Sequence, residues 1–123
     1  MGVKYSIEED ARLVRLTYSG LVALDEWVAS IKAVFEDPVY KPGFRFLIDW
    51  RLALTPDADF VKRAAAHARQ HKREISGSRL AMVSGDRATF GMLYLAKDQS
   101  TALFKKAWVS TDLKEAENWL RSG

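Results

Sequence analysis

Cysteine is absent from these 123 residues, which excludes disulfides, thiolate metal sites and a cysteine nucleophile. Histidine is nearly absent: His67 and His71 stand one helical turn apart, but two ligands are too few, and the helix lacks the glutamate that a zinc-protease motif places between its histidines. No metal and no other cofactor is expected. Long apolar runs are missing too, since no stretch approaches the roughly 20 residues of a membrane span. The opening Met1-Gly2-Val3-Lys4-Tyr5 has no basic segment followed by an apolar run, so a cytoplasmic chain without a membrane span is expected. Neither a dinucleotide fingerprint nor a Walker loop nor a Gly-x-Ser-x-Gly elbow occurs, and the single Gly85 before Asp86 does not make a phosphate loop. With no catalytic motif present, no enzyme activity is expected.

What is present is the composition of an ordinary folded domain. Hydrophobic residues make up 48% and charged residues 28%, and the length suits one domain over residues 1–123. The formal net charge of +3 comes from one segment. Removing Lys62, Arg63, Arg69, Lys72 and Arg73 from the 19 Lys and Arg leaves 14 against 16 Asp and Glu. Lys62, Arg69 and Arg73 form a stripe opposite the apolar face of their helix, which is where a soluble helix puts its charges. Aromatic residues do not interleave with them, so a solvated face is expected and nucleic acid is not expected as a partner.

Val3, Tyr5 and Ile7 alternate with polar residues, Glu9-Asp10 breaks the pattern, and Arg12, Val14, Leu16 and Tyr18 resume it. Period two on both sides of a polar break predicts an antiparallel hairpin. From Ala23 to Glu36, Leu24, Trp27, Val28, Ile31, Val34 and Phe35 fall on one helical face, and Pro38 and Pro42-Gly43 stop the helix. Phe44 to Trp50 is a near-continuous apolar run, the mark of a strand covered on both faces. Thr55-Pro56 follows as a helix start, with the hydroxyl as cap and proline where no N–H is needed; this helix is expected to reach about Arg73. Ser76-Gly77-Ser78 makes a turn. Leu80–Val83 is a short strand, Asp86 caps a helix from about Arg87 to Lys97, Leu103–Val109 is the last strand, and Thr111 or Asp112 caps a final helix with Leu113, Ala116 and Leu120 on one stripe. The order β-β-α-β-α-β-α-β-α predicts an α/β domain with a mixed, mainly parallel sheet and an antiparallel N-terminal hairpin. Trp27, Trp50, Trp108 and Trp119 are read as packing residues, and His71 as a hydrogen-bonded residue at the edge of the core.

In such folds, sites lie beyond the carboxyl ends of the strands. That position holds Asp49, Trp50, Arg51 and Thr55, with Asp86 beyond the next strand. Asp49 could serve as an acid, a base or a metal ligand, but no second carboxylate lies near it in sequence, and pairing with Arg51 or with backbone N–H groups is the simpler reading. In the helix from Arg87, Phe90, Leu93 and Tyr94 share a core-facing stripe, while Met92 and Leu95 point the other way. An apolar second side needs a second cover, so a homodimer contact through Met92 and Leu95 is expected.

Tyr18-Ser19-Gly20 before the first helix, Asp37-Pro38-Val39-Tyr40 after it, Leu47-Ile48-Asp49 leading through Arg51 to Thr55-Pro56, and the terminal Ala116-Glu117-Asn118-Trp119-Leu120 resemble the STAS-like proteins. These are relatives of the bacterial anti-sigma-factor antagonists (SpoIIAA-like proteins) and of lipid-transfer domains with the same fold. The resemblance spans nearly the whole chain. It implies a non-enzymatic regulatory module that binds a partner protein, with a carrier or sensor of a small apolar or lipid-like ligand, held between sheet and helices, as the alternative. The antagonists carry a phosphorylatable serine in an Asp-Ser-Ser-Gly-like sequence at the start of the helix after the central strand. Here Leu54-Thr55-Pro56-Asp57 stands there; Thr55 supplies a hydroxyl, but the motif's aspartate and glycine are missing. A protein-binding role of that surface is expected, and a kinase-driven switch is not.

Overall fold

The computed structural model describes residues 2–122. The elements run β1 (Val3–Glu8), β2 (Leu13–Gly20), α1 (Leu24–Glu36), β3 (Arg45–Ala53), α2 (Ala58–Arg69), α3 (Lys72–Ile75), β4 (Arg79–Val83), α4 (Arg87–Gln99), β5 (Lys106–Ser110) and α5 (Leu113–Arg121). They form an α/β fold around one five-stranded sheet in the order β1-β2-β3-β4-β5. β1 pairs antiparallel with β2, and the pairings β2–β3, β3–β4 and β4–β5 are parallel. The expected hairpin and mainly parallel sheet are both present.

Alternation along the strands sorts the core into two layers. Phe46 and Trp50 of β3 join Leu16, Tyr18 and Met82 under Trp27, Ile31 and Val34 of α1 and Leu93 of α4, with Phe60, Ala64 and Ala68 of α2 packed alongside. Leu47 projects to the opposite face, where Leu13, Ala81 and Val83 meet Ala116 and Leu120 of α5. This double cover is why β3 reads as an unbroken apolar run. Ile48 is only partly buried. Trp27 and Trp50 are buried, whereas Trp108 and Trp119 stack on each other at 5.3 Å between ring centres.

Several expected boundaries shift, each for a local reason. Thr55 does not cap α2: the Asp57 carboxylate accepts from the Phe60 N–H at 2.7 Å, so the helix starts two residues beyond Pro56. The helix does not run to Arg73 either. His71, at φ −107° and ψ 32°, interrupts it, and the single turn α3 follows. Residues 103–105, expected in the last strand, form a turn, and Lys105 donates its N–H to the Ser78 carbonyl at 2.8 Å to bring β5 alongside β4. Asp112, not Thr111, caps α5, accepting from Glu115 N–H at 3.0 Å. In α4 the buried residues are Thr89 and Leu93. Tyr94 therefore lies outside the core at 44% exposure, stacked on Phe90 with Lys97 over its ring. Met92 is half-buried at the edge of that face, and Leu95 is 36% exposed.

Candidate functional site

The carboxyl ends of the parallel strands are built around a slip in the β2–β3 register. Thr17 pairs with Asp49 but Ser19 pairs with Leu52, so β3 carries an extra residue over that interval. A β-bulge leaves an N–H without its ladder partner. Asp49 supplies the replacement: its carboxylate accepts from the Arg51 backbone N–H at 3.0 Å, and the Arg51 guanidinium grips the same group through Nε at 3.0 Å and Nη2 at 2.8 Å. Asp49 is buried, and its hydrogen bonds hold the guanidinium pKa of Arg51 above its ordinary value. The simpler sequence reading of Asp49, as a partner of Arg51 and of backbone N–H, is what the structure contains.

A second knot lies beside it. The Thr55 hydroxyl shares a 2.7 Å hydrogen bond with the Thr89 hydroxyl, and the Thr89 backbone N–H donates to the Asp86 carboxylate at 2.8 Å to cap α4. These Thr89 bonds, the backbone one foremost, hold the Asp86 carboxyl below the usual carboxylate range. Gly85 couples the two knots, because a Cβ there would lie 2.8 Å from the Arg51 carbonyl oxygen. Only glycine allows that approach. Asp49 and Arg51 are thus joined, as are Thr55 and Asp86 through Thr89. Trp50 departs from the group: it turns to the opposite face and packs edge-on against Tyr18 at 4.6 Å and Phe60 at 6.0 Å.

The same slip produces a feature that the sequence reading missed. Leu52, paired with Ser19, leaves the face that carries Phe46, Ile48 and Trp50 and stands 74% exposed. Leu54, 62% exposed, is tied by its N–H to the Gly20 carbonyl at 2.9 Å, and Gly20, at φ +62°, delivers Leu21 at 77% exposure. Three leucines therefore project into solvent from the adjoining ends of β2 and β3, beside Arg51. The available signal was the spacing of Leu52 and Leu54, two apart, past the expected strand end.

Under α1, α2 and α4 lies a partly enclosed apolar cavity of about 90 Å³. Sheet residues Tyr18, Ile48 and Trp50 form its floor, with Ala64, Ala65 and Ala68 of α2 among its walls. This is below the roughly 300 Å³ at which pockets begin to accept drug-sized molecules. Nearby, the His71 ring stacks on Phe35 at 4.8 Å and its Nδ1 lies 3.9 Å from Glu74. Among the described residues no group of three or more His, Asp or Glu could hold a metal ion, and no helix is long and apolar enough to cross a membrane.

No protein-family model matches the sequence, and no curated protein matches it either. Among solved structures the fold is similar to that of an uncharacterized DUF3478-family protein with a SpoIIAA-like fold from Shewanella loihica PV-4. The TM-score is 0.63 at 14% identity, and the match covers 97% of this chain and 94% of that one. The chain thus has the SpoIIAA-like, STAS-like architecture. At that identity the likeness speaks for the fold alone.

Proposed function

We propose that this domain is a non-enzymatic regulatory module that docks a partner protein on the carboxyl end of its sheet. The carrying observation is the exposed trio Leu21, Leu52 and Leu54, held on a rigid platform by the Asp49–Arg51 bulge and the Thr55–Thr89–Asp86 knot. Full burial of one leucine is worth about 1.5–3 kcal/mol, so three adjacent ones can dominate a modest interface. The candidate acids favour the same reading, since Asp49 is occupied by Arg51 and Asp86 by its cap. The Arg51 side chain, 44% exposed, supplies a cationic rim that favours an acidic residue on the partner.

The test compares wild type with a Leu21→Ser, Leu52→Ser, Leu54→Ser triple variant as baits in cell lysate, read by quantitative mass spectrometry and followed by titration of the purified partner. One protein enriched on wild type, bound at least 100-fold more weakly by the variant at an unchanged melting temperature, is the expected result. Equal capture by both baits would remove the docking surface.

A further inference from the structure

We propose that β1 is a self-association edge: a second copy of this chain pairs with it antiparallel about a two-fold axis and continues the sheet from one copy into the next. This goes beyond the docking surface and rests on different residues. β1 is the last strand on its side of the sheet, and it carries neither a proline nor a bulge, two of the devices that keep an edge from pairing. Its free side can be read from one hydrogen bond. The Ser19 N–H donates to the Gly2 carbonyl at 2.8 Å, so Gly2 turns that carbonyl toward β2. Bonded and non-bonded pairs alternate along an antiparallel ladder, and this one runs without a shift from the Val3–Tyr18 pair to the Glu8–Leu13 pair. Lys4, Ser6 and Glu8 therefore bond to β2, and the main-chain groups of Val3, Tyr5 and Ile7 face outward, where the sheet has no further strand.

The side chains select one register. A pairing centred on Ser6 sets Tyr5 against the partner's Ile7 and Lys4 against the partner's Glu8, each twice by symmetry. Tyr5 and the partner's Ile7 exchange their outward main-chain bonds and place an aromatic beside a β-branched residue, on the face where Val3 and Ile7 pack against the core. Lys4 and Glu8, both exposed, form opposite-charge pairs on the other face, with Ser6 meeting its own copy on the axis. Aromatic with β-branched and cation with anion are both favourable cross-strand combinations. The charge is also wanted there: Arg15 lies between Glu8 at 2.9 Å and Glu117 at 2.7 Å, one cation for two acids. Centred on Tyr5, the pairing would set Lys4 against Ser6 and lose both charge pairs; centred on Ile7, it would set Tyr5 against Glu9. Because Gly2 lies beside Ser19 at the carboxyl end of β2, the antiparallel arrangement carries the two leucine patches to opposite ends of the dimer.

The experiment is sedimentation equilibrium on the whole chain. A contact of one strand lies at the small end of interface sizes, so wild type is expected to dimerise with a dissociation constant in the micromolar range. Lys4→Glu and Glu8→Lys each set like charges opposite one another twice and should weaken the dimer at least about tenfold. An equimolar mixture of the two variants should form a heterodimer of near wild-type affinity, a recovery that misfolded chains could not give. Ser6→Cys supplies the sole thiol of a chain without cysteine, in a non-bonded pair whose Cα atoms lie about 4.5 Å apart, within disulfide range. It should cross-link on mild oxidation, and Lys4→Cys should not. The proposal fails if wild type stays monomeric at high micromolar concentration, if the mixture does, or if Lys4→Cys cross-links as readily as Ser6→Cys. It also fails if a Met92→Glu, Leu95→Glu variant loses the dimer and Lys4→Glu keeps it, which would put the contact on α4.

Discussion

Replacing Asp49 separates two contributions that the same carboxylate makes. It accepts the orphaned N–H of the bulge at Arg51, and it pairs with the Arg51 guanidinium. The first bond lies where water has little access, since Asp49 is only 8% exposed. Losing a charged acceptor from such an N–H costs about 1.5–3 kcal/mol. The ion pair is worth less, because the Arg51 side chain is 44% exposed and solvent screens it; about 0–1 kcal/mol is the range for such pairs. Asp49→Ala should therefore destabilise by about 2–3 kcal/mol. Asp49→Asn, which keeps an oxygen facing the N–H, should cost about 1 kcal/mol, and Arg51→Ala no more than that. Urea unfolding at an unchanged m-value gives the differences, repeated at 1 M salt where charges are screened within about 3 Å. The Arg51→Ala deficit should shrink in salt while that of Asp49→Ala persists. An Arg51→Ala deficit larger than that of Asp49→Ala, or one from Asp49→Ala that vanishes in salt, would refute the assignment of the carboxylate to the bulge.

Asp57→Ala should cost about 1 kcal/mol as a lost helix cap, and Thr55→Val a similar amount because the buried Thr89 hydroxyl loses its partner; chemical denaturation checks both, and a neutral Asp57→Ala would return the cap to Thr55. His67 has its pKa lowered by burial first and by the charge of His71 second. The unfolded chain then binds the proton more readily, so this contribution is complete above the unfolded value of about 6.5 and is lost as pH falls through it toward the lower folded value. Melting curves between about pH 7 and 5 should show that loss in wild type and a flatter profile in His67→Gln. Arg79 is 8% exposed, lies over the Trp119 ring at 4.1 Å, and has Nε and Nη1 unpaired. Arg79→Met should be neutral or stabilising, as replacements of buried charge by matched apolar groups often are; a loss above about 1 kcal/mol in the same denaturation assay would mean the guanidinium has an anionic or carbonyl partner.

The fold was legible because its elements announce themselves through period. Val14, Leu16 and Tyr18 alternate as a strand with one covered face in the hydrophobic register, and the unbroken Phe46-Leu47-Ile48 run signals the strand covered on both. What the sequence hid are the places where two local signals compete. Thr55-Pro56 and Asp57 both satisfy the rules for a helix start, and the decision falls to Thr89, a residue 34 positions away that engages the Thr55 hydroxyl. In α4, Tyr94 fits the apolar stripe that Phe90 and Leu93 begin, but Thr89 takes the buried face with Leu93, so the helix is rotated and the tyrosine is left outside.

The candidate site shows a sharper limit. Asp49, Arg51, Thr55 and Asp86 could be placed at the strand ends from their sequence positions alone, yet their use depends on a one-residue slip that no periodicity encodes. Strict alternation would send Leu52 to the same face as Ile48 and Trp50. With the slip, it joins Ser19 and faces solvent, and a residue that reads as core becomes the centre of an exposed apolar patch. Tyr18 presents the converse case. Its place in the alternating stripe correctly makes it core, but the same pattern would hold for phenylalanine, so periodicity cannot report that the hydroxyl meets no acceptor. Fold follows from where apolar carbon lies along the chain; the proposed docking surface rests on a departure from that pattern, leucines left outside the core.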